Sequence, residues 1–264
     1  MTIEKYGFLS EQLDKWIAEN NEKNKKFFDL ANLANTQCME IMLNETNASD
    51  TKSVVAAAIF ARAVQSFQGV ILLQQRGMEA DARTLVRSCA ESAIAIGCAV
   101  LDKDFLNILT DGHRRYKWEV ASSMSASARS TQDDSLDKAA LEEIKEFASE
   151  FDAKGAPKYP NWWRLAKKAE FMDLYKMVYA DASQDGVHVS LESIRRHIEL
   201  DENGVVKSVL FGPSDVDLKR TMICGLSAIL HCVMAYGRLI ASVETEGKAI
   251  QLFVQLNSLI ASDG

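Results

Sequence analysis

Residues 77–101 read GMEADARTLVRSCAESAIAIGCAVL, and this stretch decides the fold. Its apolar residues recur at three- and four-residue intervals, which is typical of an α-helix that packs against neighbouring helices. Gly77 is suited to the left-handed conformation that ends a helix, so we expect the preceding helix to end there. The short connection of Arg76 and Gly77 then makes the two helices antiparallel neighbours. The stretch therefore predicts the centre of a helical bundle.

The same helical spacing continues on both sides of this stretch. Only three prolines interrupt the chain, and Asn203 followed by Gly204 predicts a two-residue hairpin turn. The pattern predicts an all-α protein, a multi-helix bundle of about eight helices with one small β-hairpin. The predicted helices span about residues 10–44, 51–76, 78–101, 102–127, 136–153, 170–183 and 214–244, with a short helix at Trp162 and Trp163 and a last segment, 247–261, that follows or continues the preceding one.

We expect a single helical domain over residues 1–264. Its predicted segments are an N-terminal helix (1–50), a core (51–195), the hairpin (196–212) and the C-terminal helices (213–264). Asp50 or Thr51 is expected to cap the second helix, and Ser214 with Asp217 has the spacing of a capping box. The polar stretch 19–26 predicts a kink or an exposed overhang in the first helix.

The composition excludes several classes of protein. The 264 residues are 47 % hydrophobic and 25 % charged, which excludes a disordered chain. The 37 acidic residues outnumber the 30 Lys and Arg, which gives a net charge of -7. Proteins that coat nucleic acid or an anionic membrane need clustered positive charge, so this balance argues against both functions.

The cysteines and the amino terminus predict a cytoplasmic protein. The five cysteines show no C-x-x-C spacing and lie in apolar stretches, which is typical of reduced core residues. The first residues have no continuous hydrophobic region, unlike a signal peptide. Residues 221–243 are long and apolar enough to span a bilayer, but Arg238 lies within them, so we expect a buried helix and no membrane association.

Three ionisable residues share one face of the central helix. Arg83, Arg87 and Glu91 are four residues apart, so they lie along one side of a helix that is otherwise apolar. An unpaired charge inside a protein is costly, and such groups need each other or a third partner. Two interpretations follow: a structural Arg87–Glu91 ion pair, or a functional site.

A second polar group occurs on a later helix. Tyr175, Tyr179 and Ser183 also recur at four-residue spacing, and His188 follows Gly186, which we expect to end the helix. The pKa of histidine lies close to neutrality, so His188 is a candidate to carry a proton. The alternative is a structural histidine whose ring is hydrogen-bonded to a hydroxyl.

An ordered set of these motifs resembles a bacterial family of all-helical domains whose function is unknown. The set covers about residues 55–195 and runs through Gly77, Ala80, Leu85, Arg87-Ser88-x-x-Glu91, Trp162-Trp163, Tyr175, Tyr179, Ser183 and Val187-His188. The resemblance implies a shared polar site of Arg87, Glu91, Ser183 and His188, and it implies no reaction. Val189 replaces the small residue that usually follows the histidine in the family pattern.

The sequence leaves three hypotheses for this polar group. In the first, the protein is a ligand-binding or regulatory module for a small anionic or nucleotide-like ligand. Arg87 then pairs with the anion, and His188 and Ser183 form hydrogen bonds with the ligand. The ligand-binding residues also include Arg83, Tyr175, Tyr179 and Trp163. In the second, the protein is a phosphodiester-cleaving, RNase-like effector, for which antiphage defence is a possible role. Of the three hypotheses, this one alone involves nucleic acid. Its catalytic residues are His188, Arg87, Glu91 and Ser183. In the third, the group is a structural network.

The second hypothesis assigns separate roles to three of its catalytic residues. His188 moves a proton, Arg87 stabilises the phosphate charge and Ser183 orients the imidazole.

The sequence predicts no metal site and no cofactor. It leaves open whether the protein forms a homodimer, with the hairpin or the Trp162–Trp163 helix as the contact.

Overall fold

The structure is a computed structural model, and it describes residues 2–45, 50–131, 159–186 and 190–263 together with Glu142, Lys145 and Ser149. These residues form about eleven helices and one two-stranded antiparallel hairpin. The all-α class with a small hairpin is confirmed, and the predicted number of about eight helices is too low. The helix predicted over 136–153 lies outside the described residues, except for the three single positions.

The elements are numbered in chain order. The first six helices are α1 (Ile3–Tyr6), α2 (Leu13–Lys23), α3 (Lys25–Asn44), α4 (Thr51–Gln75), α5 (Glu79–Leu101) and α6 (Phe105–Thr131). Helix α7 is Trp162–Lys168, and α8 joins Met172–Leu174, a π-helical turn Tyr175–Tyr179 and Ala180–Gly186. After α9 (Leu191–Arg195) come β1 (Ile198–Leu200), β2 (Val206–Val209), α10 (Leu218–Leu239) and α11 (Val243–Asp263).

The predicted first helix is two helices, which is one reason for the higher count. The chain leaves helical geometry at Asn24, between α2 and α3. Asn20 is buried and its side-chain amide donates to the backbone oxygens of Gln74 and Gln75 at the end of α4. The last carbonyls of a helix have no partner within it, so Asn20 satisfies groups that burial would otherwise leave unpaired. The Asn20 side chain therefore links the last turns of α2 and α4.

The chain divides into two compact units. One consists of Met1–Leu101 with Trp162–Gly264, and the other is Asp102–Asn161. Within the second unit, Glu119 of α6 accepts hydrogen bonds from the Tyr159 hydroxyl and from Nε of Arg115. The polar group predicted from the sequence lies in the first unit. A single domain over residues 1–264 stays a prediction.

The core of the first unit is built by α4, α5 and α10, which pack on one another. Phe60 of α4 stacks on Tyr236 of α10, with ring centroids 4.6 Å apart, and both rings are fully buried. Side chains such as Phe67, Ile94 and Ile229 fill the remaining space. All three helices are also long and apolar enough to cross a membrane by length and composition.

Local signals determine both ends of α4. Asp50 caps α4 through its carboxylate, which accepts from the backbone N–H of Ser53, as predicted. Gly77 has φ of +69°, the left-handed conformation expected of it. The capping box predicted at Ser214 does not form, because α10 begins later, at Leu218, and the Asp217 side chain makes no cap.

The hairpin has a wider loop than the two-residue turn predicted at Asn203 and Gly204. Asp201 pairs with Val205 through its backbone N–H, and Gly204 adopts a φ of +78° within the loop. The Asp201 carboxylate accepts from the backbone N–H groups of Asn203 and Val205, which favours this three-residue loop over a tighter one. A role of the hairpin in a homodimer stays a prediction.

Candidate functional site

The candidate site lies where α8 packs against the middle of α5. Arg83, Arg87 and Glu91 succeed one another along α5 at one-turn spacing, and α8 presents Tyr179, Asp181 and Ser183 to them. Both helices place their polar residues by the same rule, since side chains four residues apart lie on one face. We call these six residues, with Arg62 of α4 and Arg220 of α10, the arginine cluster.

Arg87 is the centre of the arginine cluster. Its Nε donates to Oγ of Ser183 at 2.9 Å, and its Nη2 donates to the Tyr179 hydroxyl at 3.1 Å. The same Nη2 lies 3.0 Å from Oε1 of Glu91. The guanidinium also lies over the Tyr179 ring, 5.1 Å from its centroid. About a quarter of the Arg87 side chain, 27 %, is exposed, so solvent reaches this group.

Glu91 lies between two arginines. Besides Arg87, Arg62 approaches its other carboxylate oxygen, with Nη2 at 3.8 Å from Oε2. Nη1 of Arg62 also donates to Oγ of Ser92, at 2.8 Å. Burial raises the pKa of Glu91, and the two guanidiniums and the Tyr179 hydroxyl oppose that shift. The carboxylate is therefore costly to bury, and its partners offset only part of that cost.

Asp181 joins two further arginines across α8. One of its carboxylate oxygens accepts from Arg83 of α5, and the other accepts from Arg220 of α10. The Arg83 side chain is almost fully buried, whereas that of Arg220 is half exposed. A buried guanidinium needs such a charged partner, so Asp181 fixes the register of α8 on α5.

The π-helical turn of α8 holds the aromatic side of the cluster. Tyr175 and Tyr179 open and close this turn, and their rings stack with centroids 5.1 Å apart. Ser183 donates its hydroxyl to the backbone oxygen of Tyr179 at 2.6 Å, so it both accepts from Arg87 and anchors the helix. Burial raises the pKa of Tyr179, which therefore stays a neutral phenol. A π-turn within an α-helix is frequent at functional sites.

The structure brings together most of the residues that the sequence singled out. Arg87 contacts Glu91, Ser183 and Tyr179 directly, and Tyr175 stacks on Tyr179. Arg83 binds the same helix, α8, through Asp181. Whether they form a site or a structural network stays a prediction.

Two predicted residues are not placed in the cluster. Trp163 is half exposed and lies beside Lys167 of its own helix. Its neighbour Trp162 is the tryptophan near Tyr179, with ring centroids 6.2 Å apart. His188 lies outside the described residues, as do Val187 and Val189.

Arg62, Asp181 and Arg220 of the cluster are not among the site residues predicted from the sequence. Arg62 and Arg220 belong to helices far away in the chain, and no local spacing connects them with Glu91 or Asp181. Asp181 did carry a signal, because it stands two residues before Ser183 on the helix that was already predicted to matter.

The chemistry available in the arginine cluster is that of anion recognition. Two guanidiniums, those of Arg62 and Arg87, share the one carboxylate of Glu91 in a chain whose net charge is -7. Guanidinium groups present a planar set of donors that matches carboxylate and phosphate oxygens. Among the described residues, no group of three or more His, Cys, Asp and Glu could hold a metal ion.

The fold and the cluster together define a mostly helical protein with a partly buried arginine–carboxylate network. The chain belongs to a family of unknown function, DUF5677, whose model matches residues 53–205. This match contains α5, α8 and all of α4 except its first two residues, and therefore the whole arginine cluster except Arg220. No curated protein and no solved structure matches the chain.

Proposed function

We propose that this protein is a ligand-binding or regulatory module whose arginine cluster binds a small anionic or nucleotide-like ligand. The observation that carries the proposal is the charge imbalance around Glu91, whose single carboxylate lies between the guanidiniums of Arg62 and Arg87. A purely structural network tends towards matched charges, because each unmatched charge removed from water raises the free energy of the folded state. The excess is what a negatively charged ligand would neutralise.

The four arginines differ in how much of each side chain is exposed. Arg83 is almost fully buried against Asp181, which makes it a positioning residue for α8. Arg62 and Arg220 are about half exposed, and Arg87 is partly exposed. Long exposed side chains can reorient towards an incoming anion, whereas Arg87 is already held in place by Ser183 and Tyr179. We therefore assign the central contact with the ligand to Arg87.

The tyrosines favour a ligand that also carries a ring. Tyr175 is partly exposed, and its ring lies stacked on Tyr179 beside Arg87. Aromatic faces stack on nucleobases with little sequence preference. A nucleotide would then place its phosphate on the arginines and its base against Tyr175. His188 follows α8 by two residues, and the proposal does not depend on it.

Binding of AMP and of adenosine to the full chain tests this proposal by titration calorimetry. The two probes differ by one phosphate, so a difference in their affinities measures anion recognition. We expect AMP to bind more tightly than adenosine, and Arg87→Lys to weaken AMP binding by about tenfold, because lysine keeps the charge but loses the planar set of donors. Arg76→Lys is the matched control, since Arg76 is exposed at the end of α4 and lies outside the cluster.

Two results would overturn the proposal. The first is equal affinity for AMP and adenosine, and the second is an equal loss of AMP binding in the Arg87 and Arg76 variants. A third measurement, incubation with single-stranded RNA, separates binding from catalysis. If the wild type cleaves RNA and His188→Ala abolishes the cleavage, the protein is a phosphodiester-cleaving effector and the binding-module hypothesis is wrong.

We also propose that the module works in the cytoplasm, away from the membrane. The charged groups of α5 support this, because Arg83, Arg87 and Glu91 would place three ionised side chains within one apolar helix of the bilayer. Recovery of the chain in the supernatant of a detergent-free ultracentrifugation is the expected result. Recovery in the membrane pellet would contradict it.

A further inference from the structure

A second candidate site lies at the other end of the charged face of α5. A cavity of about 790 Å³ opens where the beginning of α5 meets the two chain segments that flank the hairpin. Phe8 and Trp16 close it from the amino-terminal side. None of the arginine-cluster residues lines this cavity, so it is separate from the site proposed above. Its volume falls within the range of small-molecule pockets.

One wall of the cavity is apolar and rich in aromatic groups. Phe211 is 71 % exposed, and Trp16 is also partly open, although aromatic side chains of a folded domain are usually covered. Together they provide a surface that an apolar molecule could cover. The apolar lining includes Phe8, Trp16, Ile198, Leu210, Phe211 and Pro213.

The polar lining is acidic. Four carboxylates, those of Glu79, Asp81, Asp215 and Asp217, outnumber the guanidiniums of Arg195 and Arg196. Lys23 pairs with Asp215 from outside the lining and offsets one of these charges, so an excess of negative charge remains. A cation entering the cavity would reduce this excess, whereas an anion would add to it.

Glu79 is the most buried of these carboxylates, with 5 % of the residue exposed. One of its oxygens accepts from the backbone N–H of Asp217 at 2.7 Å, and the other lies 3.7 Å from Nη1 of Arg196. The second distance is longer than a hydrogen bond, so Glu79 keeps acceptor capacity on that side. Burial raises the pKa of Glu79, which is consistent with a carboxylate whose charge is only partly compensated.

The beginnings of α5 and α10 both face this cavity, and helix N-termini generally favour anions. Here the protein supplies those anions itself. Glu79 and Asp81 stand in the first turn of α5, and Asp217 stands directly before α10 with its N–H given to Glu79. The partial positive charges of the two helices are thus already matched, and they do not turn the cavity into an anion site.

We propose that this cavity binds a small organic cation, an amine whose aliphatic or aromatic body lies against Trp16 and Phe211 and whose ammonium group donates to the acidic residues. Ammonium groups also interact favourably with aromatic faces, which the wall of the cavity provides. The site would give the module a second ligand of opposite charge to the first, at the opposite end of the charged face of α5.

The test compares two probes of similar size and opposite charge, 2-phenylethylamine and 3-phenylpropionate, in titration calorimetry with the full chain. We expect the amine to bind and the carboxylate not to bind. Asp81→Asn should weaken amine binding by about threefold, since an exposed carboxylate contributes modestly to such an interaction. Asp14→Asn is the matched control, because Asp14 is also an exposed aspartate in the first turn of a helix but does not line the cavity.

The experiment has clear opposing outcomes. Equal or tighter binding of 3-phenylpropionate would overturn the proposal, and so would the absence of amine binding at about 10 mM, a concentration that detects weak complexes. An equal effect of the Asp81 and Asp14 variants would place the amine elsewhere and would overturn it as well. These outcomes are independent of AMP binding, so either proposed site can fail without the other.

Discussion

Nη2 of Arg87 lies 3.0 Å from Oε1 of Glu91, one turn further along the same helix. An ion pair between neighbouring turns is worth little on an exposed helix, but the Glu91 side chain is only 13 % exposed. Arg87 is then held by α8 through Ser183 and Tyr179, and Glu91 is approached by Arg62 of α4. The pair therefore links three helices, and its removal should affect stability as well as any ligand.

Replacement of Arg87 by alanine should lower the free energy of unfolding by about 1–3 kcal/mol. The variant leaves Glu91 largely buried without its nearest guanidinium and removes the donor to Ser183. Urea denaturation measures the effect. Arg76→Ala is the control and should change stability by less than about 0.5 kcal/mol, as exposed positions usually do. Equal destabilisation by the two variants would show that Arg87 contributes no more to the free energy of unfolding than an exposed arginine does.

Glu91→Gln should change the pH dependence of the free energy of unfolding. The change should be opposite in sign to that expected for most surface carboxylates. The pKa of Glu91 is raised from its ordinary value of 4.5, chiefly by burial. A raised pKa means that the folded state binds the proton more tightly than the unfolded state. The stability that Glu91 contributes is therefore present below 4.5 and is lost as the pH rises through the folded-state pKa. Relative to the wild type, the glutamine variant should become more stable towards neutral pH.

Glu199→Gln provides the contrasting control for this pH series. Lys207 and Ser208 bind the Glu199 carboxylate and lower its pKa. The stability that Glu199 contributes is present above its ordinary pKa and is lost as the pH falls. The free energy of unfolding of the wild type should therefore rise relative to that of this variant towards neutral pH. Urea denaturation at several pH values measures both trends. A trend for Glu91→Gln in the same direction as that for Glu199→Gln would contradict the prediction.

Gly77→Ala should be strongly destabilising. Gly77 has a φ of +69°, and a Cβ at this position would lie 2.5 Å from the backbone nitrogen of Ser214 and 2.6 Å from the Trp16 ring. Left-handed geometry alone costs a residue with a side chain about 1–2 kcal/mol, and the two close approaches require the backbone to shift. We expect a loss of about 2–4 kcal/mol in the free energy of unfolding.

Gly247→Ala is the matched control for this substitution. Gly247 lies within α11, and a Cβ there would meet no atom within 4 Å. Alanine in a helix is more favourable than glycine, so this variant should gain up to about 1 kcal/mol. Thermal denaturation of both variants tests the pair. A melting temperature of Gly77→Ala at or above that of the wild type would refute the prediction.

The parts of the fold that could be predicted from the sequence are those with local causes. Asp50 caps α4 through a residue three positions away, and Gly77 adopts its left-handed conformation where the apolar pattern is interrupted. The break at Asn24 was not predicted as a second helix. Its cause is the amide of Asn20, which reaches Gln74, 54 positions away in the chain. No periodicity in the sequence reports such a contact.

The same distinction applies to the arginine cluster. Helical spacing sufficed to place Arg87 beside Glu91 and Tyr179 beside Ser183. The contact between these two helices, and the participation of Arg62 and Arg220, depend on tertiary packing. Glu79 is not among the residues singled out from the sequence, although it precedes Arg83 by the same four residues that separate Arg83 from Arg87. An extension of the pattern by one turn would have led to the acidic cavity.

Asn20→Ala should destabilise the protein through the end of α4. The Asn20 side chain is the donor to the backbone oxygens of Gln74 and Gln75, at 2.9 Å and 3.3 Å. It also accepts from the amide of Asn24, so alanine removes three hydrogen bonds at a buried junction. Buried acceptors left without a donor cost about 1–3 kcal/mol, and we expect a loss of that size in the free energy of unfolding.

Asn32→Ala tests whether the effect at Asn20 depends on this junction. Asn32 is exposed on α3, where alanine is the better helix former, so the variant should be neutral or slightly stabilising. Urea denaturation separates the two substitutions. Hydrogen exchange adds a local readout, because the loss of Asn20 should increase exchange in the last turn of α4 while the middle of the helix stays protected. Unchanged exchange there, together with unchanged stability, would mean that the Asn20 amide does not hold the two helix ends together.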